Sequence, residues 1–424
     1  MKPIRIHASR KYGNTKLPFI FGATSLKKSW SYSAAAVDPS KLVSTFRLIS
    51  NESRQAKSDQ EFSPFLIDQF QRRHDYLRIS LSERCNLRCF YCMPEEGVQQ
   101  SSTHNLLTSQ EIYLLSRLFV SQGVKKIRLT GGEPTLRQDI IPLMYRLGSL
   151  KSTGLQELCL TTNGISLHRH LEQMVSAGLT SVNISLDTLD PWKFQIITRR
   201  NGLEAVQKSI NRVLEMKKMG TPIKLKVNCV IIRGINDQEI SSFVGLVREK
   251  DMEVRFIEYM PFYGNKWNMS KMLMFKEMLH MIKLEYPSLI KIQNSQNETS
   301  KTYKIPGFNG RVGFITSMTH NFCSSCNRLR ITSEGNLKVC LFANAEVSLR
   351  NIIRRSNHGN PIDETAFDQI MRRKKSVPPI DKFSLYESQL LEVIGMAVRG
   401  KKEKHAGIGQ LNKLKNRPMV LIGG

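Results

Sequence analysis

From Tyr76 onward the chain alternates short strand-like runs with longer segments of helical periodicity, and few folds tolerate that alternation. The strand candidates are residues 76–82 (YLRISLS), 126–130 (KIRLT), 157–161 (ELCLT), 181–186 (SVNISL), 224–231 (KLKVNCVI) and 253–258 (EVRFIE). Helical patterns separate them at 108–122, 140–151, 168–177, 203–219 and 238–250; the first opens on Thr108 with Glu111 three residues later, a reciprocal N-terminal cap. Six strands alternating with five helices imply a parallel α/β sheet of βαβ units, because parallel neighbours need a crossover long enough to hold a helix. In such sheets ligand sites lie at the carboxyl ends of the strands. Thr130-Gly131-Gly132-Glu133-Pro134, Thr161-Thr162-Asn163-Gly164, and Ser185 with Asp187 all fall there.

The flanks read differently. Residues 1–68 lack periodicity and are left out of the fold. Residues 1–60 hold eleven basic residues, three acids and ten serines, the composition of an organelle transit peptide or of a disordered basic tail. Residues 69–260 carry the βα repeat, and 261–424 form a second region of short strands (313–317, 328–332, 337–341) with a helix near 272–286. Within it, 358–382 is polar and basic and reads as a solvated insertion. The chain of 424 residues has no apolar run long enough for a membrane span. Its net charge of +27 points to an acidic partner: nucleic acid, a membrane surface or a phosphate-rich ligand.

Six of the eight cysteines form two tight groups, Cys85, Cys89 and Cys92, then Cys323, Cys326 and Cys340. Cys159 and Cys229 stand singly in strands and read as core thiols. Structural zinc takes four closed ligands, whereas three thiolates on an iron–sulfur cubane leave one iron open to a small ligand. Each group offers three thiols; at the second, His320 could complete a zinc site instead. Arg328 and Arg330 follow Cys326 on one strand face, a paired guanidinium clamp for phosphate or carboxylate, or else a surface ion pair. Arg78, Arg128 and Lys226 are charges inside strands read as apolar on both faces, costly to bury unless a ligand meets them. At strand ends they would instead snorkel to solvent.

The text CNLRCFYCMP, with an aromatic before the third cysteine, followed by GGEP after the next strand, resembles the radical S-adenosylmethionine (radical SAM) superfamily. The further motifs TTNG, NISLDTLD, KVNCVI, VRFIEYMPFYGNKWN, FCSSCNRLRIT, NLKVCLF and a terminal GG resemble its GTP 3′,8-cyclase family, which begins molybdenum cofactor biosynthesis; the resemblance runs from about Arg72 to Gly424. It implies a partial (β/α)6 TIM-like barrel with a C-terminal auxiliary-cluster domain. It implies that Cys85, Cys89 and Cys92 hold a [4Fe-4S] cluster whose open iron binds the amino and carboxylate groups of S-adenosylmethionine, with Tyr91, Gly132, Ser185 and Met260 as further contacts. Cys323, Cys326 and Cys340 would hold a second [4Fe-4S] cluster facing the guanine of GTP, with Arg78, Arg128, Thr161, Lys226, Arg328, Leu329 and Arg330 around the nucleotide. Glu133 would accept a hydrogen bond from the methionine amino group, and Asp187 would orient a loop.

The reaction implied is abstraction of hydrogen from C3′ of GTP by a deoxyadenosyl radical, attack of C3′ on C8, and reduction to (8S)-3′,8-cyclo-7,8-dihydroguanosine 5′-triphosphate. The resemblance further implies a homodimer in the mitochondrial matrix, an electron donor, and a separate cyclic pyranopterin monophosphate synthase for the product. Gly423 and Gly424 would enter the active-site pocket, since a tail without side chains threads a narrow channel; otherwise they are a frayed end. Two rivals predict different residues. A radical SAM peptide-modifying enzyme calls for a peptide groove and more auxiliary cysteines, and a nucleic-acid-binding zinc protein calls for four-ligand sites with exposed aromatics.

Overall fold

The computed structural model describes residues 62–94, 96–293, 297–376, 384–411 and 417–423. The transit segment up to residue 61, residues 377–382 of the basic insertion and Gly424 lie outside the described residues.

The six expected strands form as β1 (Tyr76–Ser80), β2 (Lys126–Thr130), β3 (Glu157–Thr162), β4 (Leu179–Ser185), β5 (Lys224–Ile231) and β6 (Glu253–Glu258), each parallel to the next. Later come β7 (Ile290–Lys291), β8 (Lys301–Lys304), β9 (Arg311–Ile315), β10 (Arg328–Ile331), β11 (Asn336–Lys338) and β12 (Val347–Ser348). They do not build a separate sheet. β10 joins β1 and β9 joins β6, both parallel, so the order is β12-β11-β10-β1-β2-β3-β4-β5-β6-β9-β8-β7. The boundary read near residue 260 therefore falls inside one continuous sheet with eight parallel strands at its centre. The β10 and β9 edges are not hydrogen-bonded to each other, yet side chains from all eight strands line one cavity. The sheet thus curls into an open barrel.

The strands are not apolar on both faces. Leu77, Ile79, Ile127, Leu129, Leu158, Leu160, Val182, Ile184, Val227 and Val254 form one buried face, under the helices. The alternate positions are polar and point into the barrel, as the period of two requires. Outside lie α1 (Ser109–Ser121), α2 (Ile140–Ser149), α3 (Leu167–Ser176), α4 (Pro191–Thr198), α5 (Leu203–Lys218) and α6 (Ile240–Leu246). The fourth has no counterpart in the pattern analysis; Asp190 caps it by accepting from the amides of Trp192 and Lys193, with Pro191 at its first position. Among the described residues no helix is long and apolar enough to cross a membrane.

Two further differences concern the flanks. Residues 62–68 belong to the folded body: Pro64–Leu66 is a turn of 3-10 helix, Leu66 is fully buried, and the turn packs on the helix Leu385–Arg399. The basic insertion is partly helical, at Glu364–Ser376, where Phe367 and Ile370 are buried on one face and Ile362, just before the helix, is fully buried. Its start is anchored by Glu111, whose carboxylate accepts from the amides of Ile362 and Thr108 and pairs with Arg354 at 2.6 Å. Both partners of that ion pair are buried. Arg354→Met strands the carboxylate and is expected to destabilise the folded protein by about 3–5 kcal/mol, measured by urea denaturation.

Candidate active site

The barrel interior is a cavity of about 590 Å³. Cys85, Cys89 and Cys92 line it beyond the carboxyl end of β1, and Cys323, Cys326 and Cys340 line it where the β9–β10 connection enters the amino end of β10. The site therefore runs the length of the barrel instead of resting on one rim. Arg78, Arg128, Thr161, Lys226, Arg328, Arg330, Tyr91, Gly132, Ser185 and Met260 all line the same space. Leu329 does not: it lies on the opposite face of β10, fully buried in the apolar shell. The strand period that turns Arg328 and Arg330 inward turns Leu329 outward.

The first cysteine loop is wedged between two neighbours. Gly132 donates its amide to the Ser82 carbonyl at 2.6 Å, and a Cβ at Gly132 would run into the carbonyl of Arg84. On the other side Arg88 and Phe90 donate to the carbonyls of Thr198 and Ile197 at the end of α4. Asp187 ties the loop to the barrel by accepting from Tyr91 Oη at 2.7 Å and from the Val230 amide at 2.8 Å. Burial pushes the Asp187 carboxyl up to about 6. Asn265 donates to the carbonyls of both Tyr91 and Met260. Burial, with the neighbouring Cys85 and Asp187, pushes the Cys92 thiol up to about 12.

Glu133 does not face the cavity. It is fully buried and accepts from Thr135 Oγ1, Thr162 Oγ1 and the amides of Thr135 and Asn163. It ties the loops after β2 and β3 together and leaves no side-chain oxygen lining the cavity for a methionine amino group, contrary to the expectation from the motif.

The cavity wall is strongly basic. Arg330, Arg78 and Arg128 sit in register on β10, β1 and β2. Burial and the adjacent Arg330 push Arg78 well below the usual guanidinium range, and burial with Arg328 pushes Arg330 down to about 10. Arg128 donates to Tyr76 Oη (2.6 Å), the Leu160 carbonyl and Thr161 Oγ1. Arg328 lies over the rings of Tyr76 and Phe322 and donates to Thr299. The lysines are better compensated: Lys126 pairs with Glu157 at 2.6 Å, and Lys226 with Glu253 at 3.3 Å. Glu253 also holds Arg255 at 2.6 Å.

Among the described residues, Ser181 Oγ, Asn183 Oδ1, Asn228 Oδ1 and Arg330 Nη1 are buried in this wall without a hydrogen-bond partner. Each such atom costs about 1–3 kcal/mol unless a ligand meets it. Arg330 Nη1 and the Ser181 hydroxyl can donate to an anion, whereas the Oδ1 atoms of Asn183 and Asn228 accept and call for hydroxyl or N–H donors on the same ligand. Tyr76, Asn183, Asn228 and Arg255 were not singled out from the sequence, although their signal was present: each occupies an inward position of the two-residue period.

The remaining candidates divide. His320 is exposed, stacks edge-on against Phe275 and is absent from the cavity, whereas His405 lines it. Cys159 and Cys229 are fully buried. Among the described residues, no three His, Cys, Asp or Glu side chains close tightly enough to grip a single metal ion. The amide of Val420 hydrogen-bonds Cys92, and Gly423 (φ 75°) is so close to the rim that a Cβ would stand 2.7 Å from Thr130 Oγ1 and 2.9 Å from Ser80 Cβ.

Comparison with known proteins agrees with this architecture. Residues 79–247 match the Radical SAM superfamily model and 252–378 the Molybdenum Cofactor Synthesis C model. The chain is 48% identical over 366 residues to GTP 3′,8-cyclase, mitochondrial, of Arabidopsis thaliana, covering 86% of this chain and 85% of that one. It belongs to that family of radical SAM enzymes. It is 50% identical over 361 residues to Molybdenum cofactor biosynthesis protein 1 of Bos taurus, covering 85% of this chain and 52% of the relative. The chain thus spans about half the length of the first curated relatives it matches. Among solved structures it is similar to Streptococcus suis SuiB (16% identity, TM-score 0.47, 73% of each chain), a likeness too distant to inform the chemistry.

The Tyr76 phenol gives this family member a testable electrostatic signature. Burial raises its pKa, but Arg128 and Arg78 outweigh burial and hold it at about 8. Below that pH the phenol is neutral and the arginines count in full; above it a phenolate cancels one positive charge. Binding of inorganic tripolyphosphate is expected to weaken by up to roughly tenfold per pH unit above pH 8. Tyr76→Phe should remove that component, as read by calorimetric titration of both proteins at several pH values.

Proposed function

We propose that this chain cyclises GTP to (8S)-3′,8-cyclo-7,8-dihydroguanosine 5′-triphosphate, the first step of molybdenum cofactor biosynthesis. The observation that carries the reading is one cavity with a cysteine triplet at each end and buried arginines between. In this reading Cys85, Cys89 and Cys92 hold one [4Fe-4S] cluster and Cys323, Cys326 and Cys340 a second. When bound, the first cluster with S-adenosylmethionine supplies a deoxyadenosyl radical for C3′ of the ribose.

The protein's part is placement. Arg78, Arg128, Arg328 and Arg330 bind the triphosphate, with Thr161 and Lys226 beside them. Tyr91, Gly132, Ser185 and Met260 bind S-adenosylmethionine, with Asp187 and Asn265 bracing them. The apolar shell and the 417–423 segment keep water and stray hydrogen donors from the reacting carbons, which must stand about 3–3.5 Å apart. The relative from Arabidopsis carries the word mitochondrial in its name, and the basic, serine-rich N-terminal stretch supports import into the matrix here too. A homodimer, an electron donor and a separate synthase acting on the product complete the proposal.

The deciding experiment is anaerobic turnover of the iron- and sulfide-reconstituted chain with S-adenosylmethionine, dithionite and GTP or ATP, quantified by mass spectrometry. Deoxyadenosine and the cyclised nucleotide with GTP, and no cyclised product with ATP, are expected. Deoxyadenosine without a cyclised nucleotide would transfer the reading to a peptide-modifying enzyme. Deleting Gly423 and Gly424 is expected to abolish cyclisation while iron content stays unchanged. Full product formation by that truncated enzyme would remove the tail from the active site.

A further inference from the structure

Behind the second cysteine triplet lies a buried lysine that the function above leaves unused. Lys401 follows the helix Leu385–Arg399 and is 3% exposed. Its Nζ has four partners: His74 Nε2 at 2.9 Å, the Arg328 carbonyl at 3.2 Å, and the carbonyl and Sγ of Cys326, each at 3.3 Å. His74 is fully buried, and its Nδ1 lies 3.0 Å from the Leu66 carbonyl, which can only accept. Nδ1 therefore carries the imidazole proton, and Nε2 accepts from the lysine.

Beside it, Arg72 pairs with Asp68 at 2.5 Å and donates to the carbonyls of Cys323 (2.7 Å), Lys402 (2.9 Å) and Glu403 (2.9 Å). Asp68 is bound directly by Arg72, and its Oδ2 lies 3.8 Å from His74 Nε2, outside contact with the lysine. An ammonium this deeply buried needs a negative partner, and the sulfur of Cys326 is the group in contact that supplies one as a thiolate.

We propose that Lys401 is a positioning residue for the second cluster: it fixes the Cys326 sulfur and places a positive charge against it, favouring the reduced cluster. This rests on the reading of the second triplet as a cluster site. The test separates the two. In the full chain carrying Cys85→Ala, Cys89→Ala and Cys92→Ala, only the second triplet can take up iron. Absence of iron and sulfide after reconstitution would overturn the cluster reading itself.

With iron bound, the midpoint potential is measured by EPR-monitored titration for that protein and for its Lys401→Arg and Lys401→Met derivatives. Lys401→Met is expected to shift the potential to more negative values, and Lys401→Arg to stay near the parent. Selective loss of this iron in Lys401→Met, with an unchanged circular dichroism spectrum, would also support the role. An unchanged potential at full iron content would overturn it. Should Lys401→Met fail to fold, lysine labelled with ¹⁵N at Nζ allows pulsed EPR of the reduced cluster without substitution at Lys401. Coupling to one lysine nitrogen is the expected result, and its absence overturns the proposal.

Discussion

Three guanidiniums set side by side inside the barrel are the constraint on which the rest of the structure depends. Arg330, Arg78 and Arg128 occupy one level of three hydrogen-bonded strands. Burial first, then the like charges of Arg330, Arg128 and Arg328, push Arg78 well below the usual guanidinium range. On the same wall Glu157 is engaged with Lys126 and Lys224, and Glu253 with Lys226 and Arg255. The stabilisation comes from the other face of the same strands. Leu77, Ile79, Ile127, Leu129, Leu329 and Ile331 are each 1% exposed or less. Each contributes about 1.5–3 kcal/mol of apolar burial. The apolar shell thus holds a strongly basic inner wall in place.

That division of labour explains what was legible in the sequence and what was not. The strands were readable because their outer residues are branched and aliphatic, and β2, β5 and β6 fall where the pattern puts them. The inner face was harder. Arg78, Arg128 and Lys226 stood out as charges among apolar residues, but Tyr76, Asn183 and Asn228 are ordinary strand residues until the period of two is applied to every strand together. Leu329 was drawn into the site by its neighbours Arg328 and Arg330, and alternation alone assigns it to the shell.

Long-range pairing left weaker marks. Nothing local to the β9 sequence RVGFI or the β10 sequence RLRI says that one will pair with β6 and the other with β1, because those contacts are made across the whole barrel. The helix α4 had a local signal, Asp190-Pro191, but its packing residues are few, with Trp192 and Ile196 exposed. Glu364–Ser376 was hidden by its charge: two buried apolar residues, Phe367 and Ile370, hold the helix against the body while the composition says loop. Residues that act through backbone carbonyls are hard to assign a role from sequence: Arg72 stands in no motif, and Asn265 stands within VRFIEYMPFYGNKWN, but the partners of both are defined only once the chain is folded.

The rim of the barrel on the side of the first cysteines follows from the same geometry. Ser80 and Thr130 end β1 and β2 on the inner face, and they are small where Arg78 and Arg128, two residues earlier, are large. Small residues there leave room for another backbone, and Gly423 takes it in a left-handed conformation that favours glycine. The fit is mutual, because a Cβ at Gly423, or a larger side chain in place of Ser80 or Thr130, would separate them. Val420, three residues earlier, meets Cys92, so one short turn of helix touches both the strand ends and the cysteine loop. That contact exists only when β1, β2 and the loop are already assembled. The 417–423 segment therefore docks on a surface made by three separate elements, and its docking depends on the shape of the site it closes.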